Sequence, residues 1–401
     1  MTLPVEEYRF ELQRELNDIL NYWTRYAPDP VYGGFYGRID NNNQVYPKAP
    51  RGSVLYSRIL WTFSAAFNCF QDPGHLVIAD KAYDYLHSHF LDTEYGGVYW
   101  TVDFKGQKLD ERKQIYAQAF FLYALSEYYK AVKRQPVLEL AIQVFRWIEL
   151  KAFDYKRKGY YEAFGRDWSK IEDQRLSPKD QNEQKTMNTH LHLLEAYSNL
   201  YGSWKNAGLR SQIENLLEVF AHHFIDDRSR HLHLFFDEDW NQKSELISYG
   251  HEIEAAWLLQ QAAETVRHPG WTMTMKSLAI KIADAATEGL DPEGGMNYES
   301  ENNMVIRDKH WWPQAEAMVG FYNAYQVSGE ERWLKKSIAS WQFVKNHIKD
   351  NSNGEWFWGV DEKNMVLQGH DKIGLWKCPY HNGRACIELI SRIAPQTIMK
   401  R

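Results

Sequence analysis

Two kinds of hydrophobic pattern take turns along the chain. Short stretches of alternating apolar and polar residues recur six times, each opened by glycine or a residue in an equivalent place. They read YGGFYGRID from Tyr32, YGGVYWTVD from Tyr95, KGYYEAFGRDW from Lys158, RHLHLFFDEDW from Arg230, EGGMNYES from Glu293 and NGEWFWGVDEKN from Asn353. Alternation bounded by turn residues predicts a short β-hairpin. Six copies roughly 60–70 residues apart predict a repeat architecture. Between the copies the apolar residues fall at helical spacing instead. This predicts helix pairs over 55–69 and 74–91, 112–133 and 136–152, 185–202 and 208–225, 247–267 and 270–288, and 308–328 and 331–350. Helices over 4–26 and 381–393 complete the set.

Twelve helices in six pairs predict an all-α fold, an (α/α)6 barrel with short β-hairpins between repeats and a single domain spanning 1–401. An open solenoid of helix pairs is the alternative, and its end repeats need polar outer faces. Here the first helix presents Leu12, Leu16, Ile19, Leu20 and Trp23, and the last presents Ile387, Leu389 and Ile390. Both ends are built to bury, which favours closure.

In a closed ring the six inner helices share one rim, and unusual residues cluster where each begins. They are Arg58 and Trp61, then Tyr116, then Asn188, His190 and His192. His251, Glu254 and Trp257 follow, then His310, Trp311, Trp312 and Glu316, and last Trp376, Tyr380 and His381. All converge on one expected cavity, where helix N-termini offer unpaired N–H groups. Each residue also has a plain structural reading. His190 and His192 lie about 200° apart around a helix, so only one faces the cavity. His231 and His233 fall in a hairpin and read as surface or packing residues. Of the adjacent Trp311 and Trp312, one is expected in the core. Arg58 is either an ion-pair partner or the fixed cation of a site. Glu254, one turn after His251, is placed to orient that imidazole or raise its pKa. The string HEIEA resembles half of a zinc-protease motif, but Ala255 stands where the second histidine is required, so no metal is expected.

Composition narrows the chemistry. Aromatic residues make up 15% of 401 residues, and on this scale they either fill a core or build platforms for flat apolar faces such as those of sugars. A net charge of −6 without basic clusters gives no reason to expect nucleic acid or an anionic membrane. There is no long apolar run and no signal-like N-terminus. The three cysteines, Cys69, Cys378 and Cys386, are odd in number and lack metal spacing, so a reduced cytoplasmic protein is expected; a monomer is expected as well. No glycine-rich dinucleotide fingerprint is present, and no cofactor is expected.

The strings KTMNTHLHLLEAY, SYGHEIEAAWLL, HWWPQAEAM and LWKCPYHNGRACIE resemble the cellobiose 2-epimerase family, within the wider N-acylglucosamine 2-epimerase superfamily, and the likeness runs in order along essentially the whole chain. The resemblance implies an (α/α)6 barrel that interconverts glucose and mannose at the reducing end of β-1,4-linked disaccharides such as cellobiose and lactose. It implies His251 and His381 as the acid/base pair and His192 as a third important histidine. It further implies that Arg58, Tyr116, Asn188, Glu254, Trp312, Glu316 and Trp376 bind or polarise substrate, with Asp180 of SPKDQNEQ on a loop near the cavity. The chemistry agrees. Epimerisation at carbon 2 needs ring opening, proton removal beside the aldehyde and return on the other face, work suited to imidazoles and a cation. N-acetylglucosamine 2-epimerase and mannose isomerase activities are the near alternatives. A glycoside hydrolase using Glu254 and Glu316, or a noncatalytic sugar-binding protein, is more distant.

Overall fold

The computed structural model describes residues 3–393, and its architecture is mostly helical. Twelve α-helices occur among the described residues, in the expected order. They are α1 (Val5–Tyr26), α2 (Ser53–Phe70), α3 (Pro73–Tyr85), α4 (Ile115–Val132), α5 (Gln135–Ala152) and α6 (Met187–Ser203). Then come α7 (Ala207–Val219), α8 (Tyr249–Val266), α9 (Pro269–Ala286), α10 (Trp311–Ser328), α11 (Glu331–Phe343) and α12 (Tyr380–Arg392).

Two sequence types distinguish the members of each pair. Helices α2, α4, α8 and α10 are buried nearly all round, as a helix enclosed by neighbours must be. Each ends on a residue in the left-handed conformation, namely Gln71, Lys133, Arg267 and Gly329, which turns the chain sharply. Their partners keep a polar face and start on ordinary signals: Pro73 behind an Asp72 cap, Pro136 in the first turn of α5, Pro269 behind His268. Even-numbered helices pack on one another in the order α2, α4, α6, α8, α10, α12, and α12 returns to α2. Helices α3, α5, α7, α9 and α11 lie against the preceding even-numbered helix. The sixth pair is made by α12 with α1, from the opposite end of the sequence.

The hairpins stitch this ring. A short strand before each even-numbered helix pairs antiparallel with the following repeat's hairpin, as Lys113–Gln114 does with Ala163–Phe164 and Lys185–Thr186 with Phe235–Phe236. The last such strand, Asp371–Ile373, pairs with Ile39–Asp40 of the first repeat. At its tip each hairpin is a tight turn closed by a single bridge, such as Leu91 with Val98.

Beneath the turns runs a repeated ion pair with no local signature in the sequence. An aspartate accepts the turn N–H groups and faces a cation next to the following even-numbered helix. The pairs are Asp29–Arg51 at 2.5 Å, Asp92–Lys113 and Asp154–Lys185 at 2.9 Å, Asp291–Lys309 at 3.4 Å and Asp350–Lys372 at 2.7 Å. In the fourth repeat Ile247 holds the cation's place, and among the described residues the one ion-pair partner of Asp226 is His233 at 3.6 Å.

A second repeated contact explains His190. Gln118 and Gln314 each bond the backbone N–H of the bridge residue, Val98 or Met296, and return a donor to the carbonyl four residues back. His190 does the same, with Nε2 accepting from Tyr160 N at 2.8 Å and Nδ1 donating to Thr186 O at 2.7 Å. It is therefore the structural member of the histidine pair.

Candidate active site

A cavity of about 470 Å³ opens where the N-terminal ends of the even-numbered helices meet. Arg58, Tyr116, Asn188, His192, His251, Glu254, Trp312, Trp376 and His381 all line it, so helices far apart in sequence deliver the expected residues to one place. Asp180 reaches it from the loop before α6, where its carboxylate accepts from Ser177 N at 2.8 Å. Trp311 and Trp312 both border the space, Trp311 from a buried position and Trp312 more openly.

Five histidines line the cavity, His192, His251, His310, His370 and His381, and three of them have side-chain partners that fix the ring. Nδ1 of His381 lies 2.7 Å from Glu316 Oε1, and Nδ1 of His192 lies 3.0 Å from Glu195 Oε2. Carboxylates accept only, so both rings are held with Nδ1–H donating and the Nε2 lone pair free. His251 differs, for its Nδ1 sits 2.8 Å from the Ser248 hydroxyl. The rings of His251 and His381 both pack on the Trp312 indole, with centroids 4.6 and 5.7 Å away. Burial, with His192 nearby, drives the His251 pKa down to about 3. Burial and the positive charges of Arg58 and Arg384 hold His381 well below the usual imidazole range. Both are thus neutral and able to accept a proton.

Arg58 is buried with its guanidinium over the faces of Phe120 and Tyr380. Its polar partners are the Tyr116 hydroxyl at 2.7 Å, the Trp376 carbonyl at 3.4 Å and the Cys378 thiol. No carboxylate comes within ion-pair distance among the described residues. A cation desolvated without a counter-charge is costly alone and strongly favours an anionic guest.

Below the imidazoles, Arg384 binds Glu195, Glu254 at 2.5 Å and Glu316 at 2.7 Å, while Tyr380 donates to Glu195 at 2.7 Å. Three carboxylates share one guanidinium. Burial would raise all three, and the proximity of Arg384 and His192 instead holds Glu195 low, at about 2. Burial, then the facing Glu316, push Glu254 upward, and the Arg384 guanidinium opposes the shift.

Two expectations need correcting here. Glu254 does not orient His251: its carboxyl is taken by Arg384, and Ser248 holds the imidazole. Glu316 stands behind His381 and not on the cavity wall, bound to that histidine, to Arg384 and to the Trp257 indole. Donor atoms of Glu254, Glu316 and His381 also lie close enough together to hold a metal ion, but the Arg384 guanidinium already supplies positive charge there. Sequence reasoning passed over Ser248, Glu195 and Arg384, and also Tyr298, Trp358 and His370 on the outer wall. Arg384 meets Glu195 and Glu254 across most of the ring, a pairing without local pattern.

The family model described as N-acylglucosamine 2-epimerase (GlcNAc 2-epimerase) matches residues 34–383. A cellobiose 2-epimerase of Bacteroides fragilis is 46% identical over 383 residues, covering 95% of this chain and 98% of that protein. One from Dictyoglomus turgidum is 39% identical over 94% of this chain and 96% of its own length. The solved cellobiose 2-epimerase of Bacillus thermoamylovorans superposes with a TM-score of 0.92 at 38% identity, over 96% of this chain and all of that one.

Proposed function

Because this chain belongs to the N-acylglucosamine 2-epimerase family, we propose that its cavity inverts carbon 2 of the reducing-end sugar of a β-1,4-linked disaccharide, with cellobiose or lactose as substrate. It is an enzyme of the isomerase class and acts on sugars. On this reading the ring of paired helices is an (α/α)6 barrel, and residues 1–401 form one catalytic domain. One observation carries the chemical part. Two neutral imidazoles, His251 and His381, pack on a single indole in the same cavity as a buried guanidinium without a carboxylate partner.

The reaction then proceeds as follows. A histidine removes the O1 proton of the cyclic sugar and ring oxygen O5 is protonated, breaking the C1–O5 bond to give the aldehyde. A neutral imidazole takes the proton from carbon 2. The released electron pair forms the C1–C2 double bond, and negative charge gathers on O1, where Arg58 meets it. An imidazolium returns a proton to the opposite face and the ring closes. No oxidation state changes, so no electron carrier is required. Trp312 and Trp376 supply stacking surfaces, Tyr116 and Asn188 polar contacts, and Asp180 closes the space from its loop. A hydrolase reading needs two opposed, independent carboxyl groups, whereas Glu254 and Glu316 share one arginine.

The test is incubation with cellobiose or lactose in heavy water, followed by NMR and mass spectrometry. The mannose-terminated epimer should form with deuterium at carbon 2, without added cofactor and in the presence of EDTA. The disaccharide should show a higher kcat/KM than free glucose or mannose. Better use of N-acetylglucosamine or mannose would transfer the protein to a neighbouring activity, and EDTA-sensitive turnover restored by a divalent ion would overturn the metal-free chemistry.

A further inference from the structure

We propose that Ser248 is a positioning residue for proton transfer, fixing the orientation of the His251 imidazole and allowing it either neutral tautomer. The inference rests on His251 acting as an acid/base group.

Ser248 is the N-cap of α8 and is buried. A serine in that place ordinarily accepts a backbone N–H of the first helical turn. Thr186, the corresponding residue before α6, does so, accepting from Thr189 N at 3.2 Å. Ser248 caps nothing, and its hydroxyl is turned to His251 Nδ1 at 2.8 Å. Its backbone is fixed independently by antiparallel pairing of Ser248 with Glu299, so the hydroxyl is presented from a rigid strand.

The contrast with the other imidazoles gives this contact its meaning. His381 and His192 face carboxylates, which demand Nδ1–H and leave Nε2 as an acceptor. A hydroxyl both donates and accepts. Unlike neutral His381 and His192, a neutral His251 can therefore show the cavity either a lone pair or an N–H at Nε2 while its Nδ1 stays satisfied. Ring opening asks for both in one cycle, since a proton leaves O1 and another reaches O5. The ionisable groups around His251 are His192 of α6, Glu316 of α10 and His381 of α12, which shares the Trp312 indole, with Glu254 one turn on along its own helix, and none of them bonds it.

Ser248→Ala and Ser248→Thr, assayed beside the wild type and His251→Asn on the same disaccharide, test the proposal. Ser248→Ala should lower kcat by on the order of tenfold or more with little change in KM. It should also move the acidic limb of the kcat–pH profile and leave Tm close to wild type, because no cap is lost. Ser248→Thr should restore both rate and profile. Unchanged kcat in Ser248→Ala would overturn the proposal. So would a fall in Tm with an unmoved pH profile and no rescue by threonine. A wild type that exchanges no hydrogen at carbon 2 would instead sink the epimerase reading, and this inference with it.

Discussion

His251 and His381 are held neutral by burial, and for His381 also by two nearby arginines. Free imidazole gains its proton near pH 6.5, so an exposed base fails as the medium turns acid. Here kcat/KM should hold from neutrality down to about pH 5.5, read from pH–rate profiles; a loss centred near 6.5 would show that one base keeps an ordinary pKa. Replacing His251 or His381 by Asn should cost about 10²–10⁴-fold in turnover while the fold and disaccharide binding survive, checked by kinetics and calorimetry. Losses under about tenfold in both would remove them from the proton-transfer step. His190 allows a different measurement. Burial lowers its pKa to about 3, so the unfolded state binds the proton that the folded state refuses. Its contribution is intact above about pH 6.5 and is lost as pH falls below that. His190→Gln, which installs the side chain found in the same place on α4 and α10, should fold normally. Between pH 7 and 5 it should lose about 2 kcal/mol less stability than the wild type in denaturant titrations. The residues on the cavity wall were legible in the sequence because each opens a helix at a repeating position. Their supports were not: Ser248 looks like any N-cap, and the place of Glu316 behind His381 depends on how α10 and α12 pack.

Helical elements were legible because period and punctuation agree. The expected ends of α1, α5 and α10 fall on or within a residue of those found. The starts of α4, α6, α8 and α10 come two or three residues later than the pattern predicts. The reason is local: Lys113–Gln114, Lys185–Thr186, Ile247–Ser248 and Lys309–His310 are strands paired to the next repeat, which an apolar period cannot separate from a first helical turn. The buried ion pairs were invisible for the opposite reason, since an aspartate and a lysine about 20–30 residues apart have no periodic relation. Their energetic weight lies in what remains when one partner goes. Lys185→Ala would strand Asp154 as well as the carbonyls of Lys158 and Glu238, and should destabilise the protein by about 3–5 kcal/mol in chemical denaturation. A loss below about 1 kcal/mol would mean that water replaces the ammonium freely.

Across the whole molecule, α12 closes the inner ring against α2, and α1 packs on α12 to complete the sixth pair. The first helix reaches further than its partner, for Trp23 donates to Glu355 at 2.8 Å and Glu15 accepts from Trp356 at 2.7 Å, tying it to the sixth hairpin as well. Apolar end helices predicted this closure, but not which outer place α1 would occupy. On the ribosome the arrangement imposes an order. Five helix pairs can assemble as they emerge, but α1 keeps the surface that meets α12 uncovered until everything between Tyr26 and Tyr380 has been synthesised. That is the longest wait any element of this chain endures, and exposed apolar surface on a waiting segment is what chaperones bind and aggregation exploits. The helix that ends the wait is also the one that brings His381, so the nascent chain acquires the last of the cavity's imidazoles only when the ring shuts. Catalytic turnover by this protein would thus double as a report that its synthesis has run through α12.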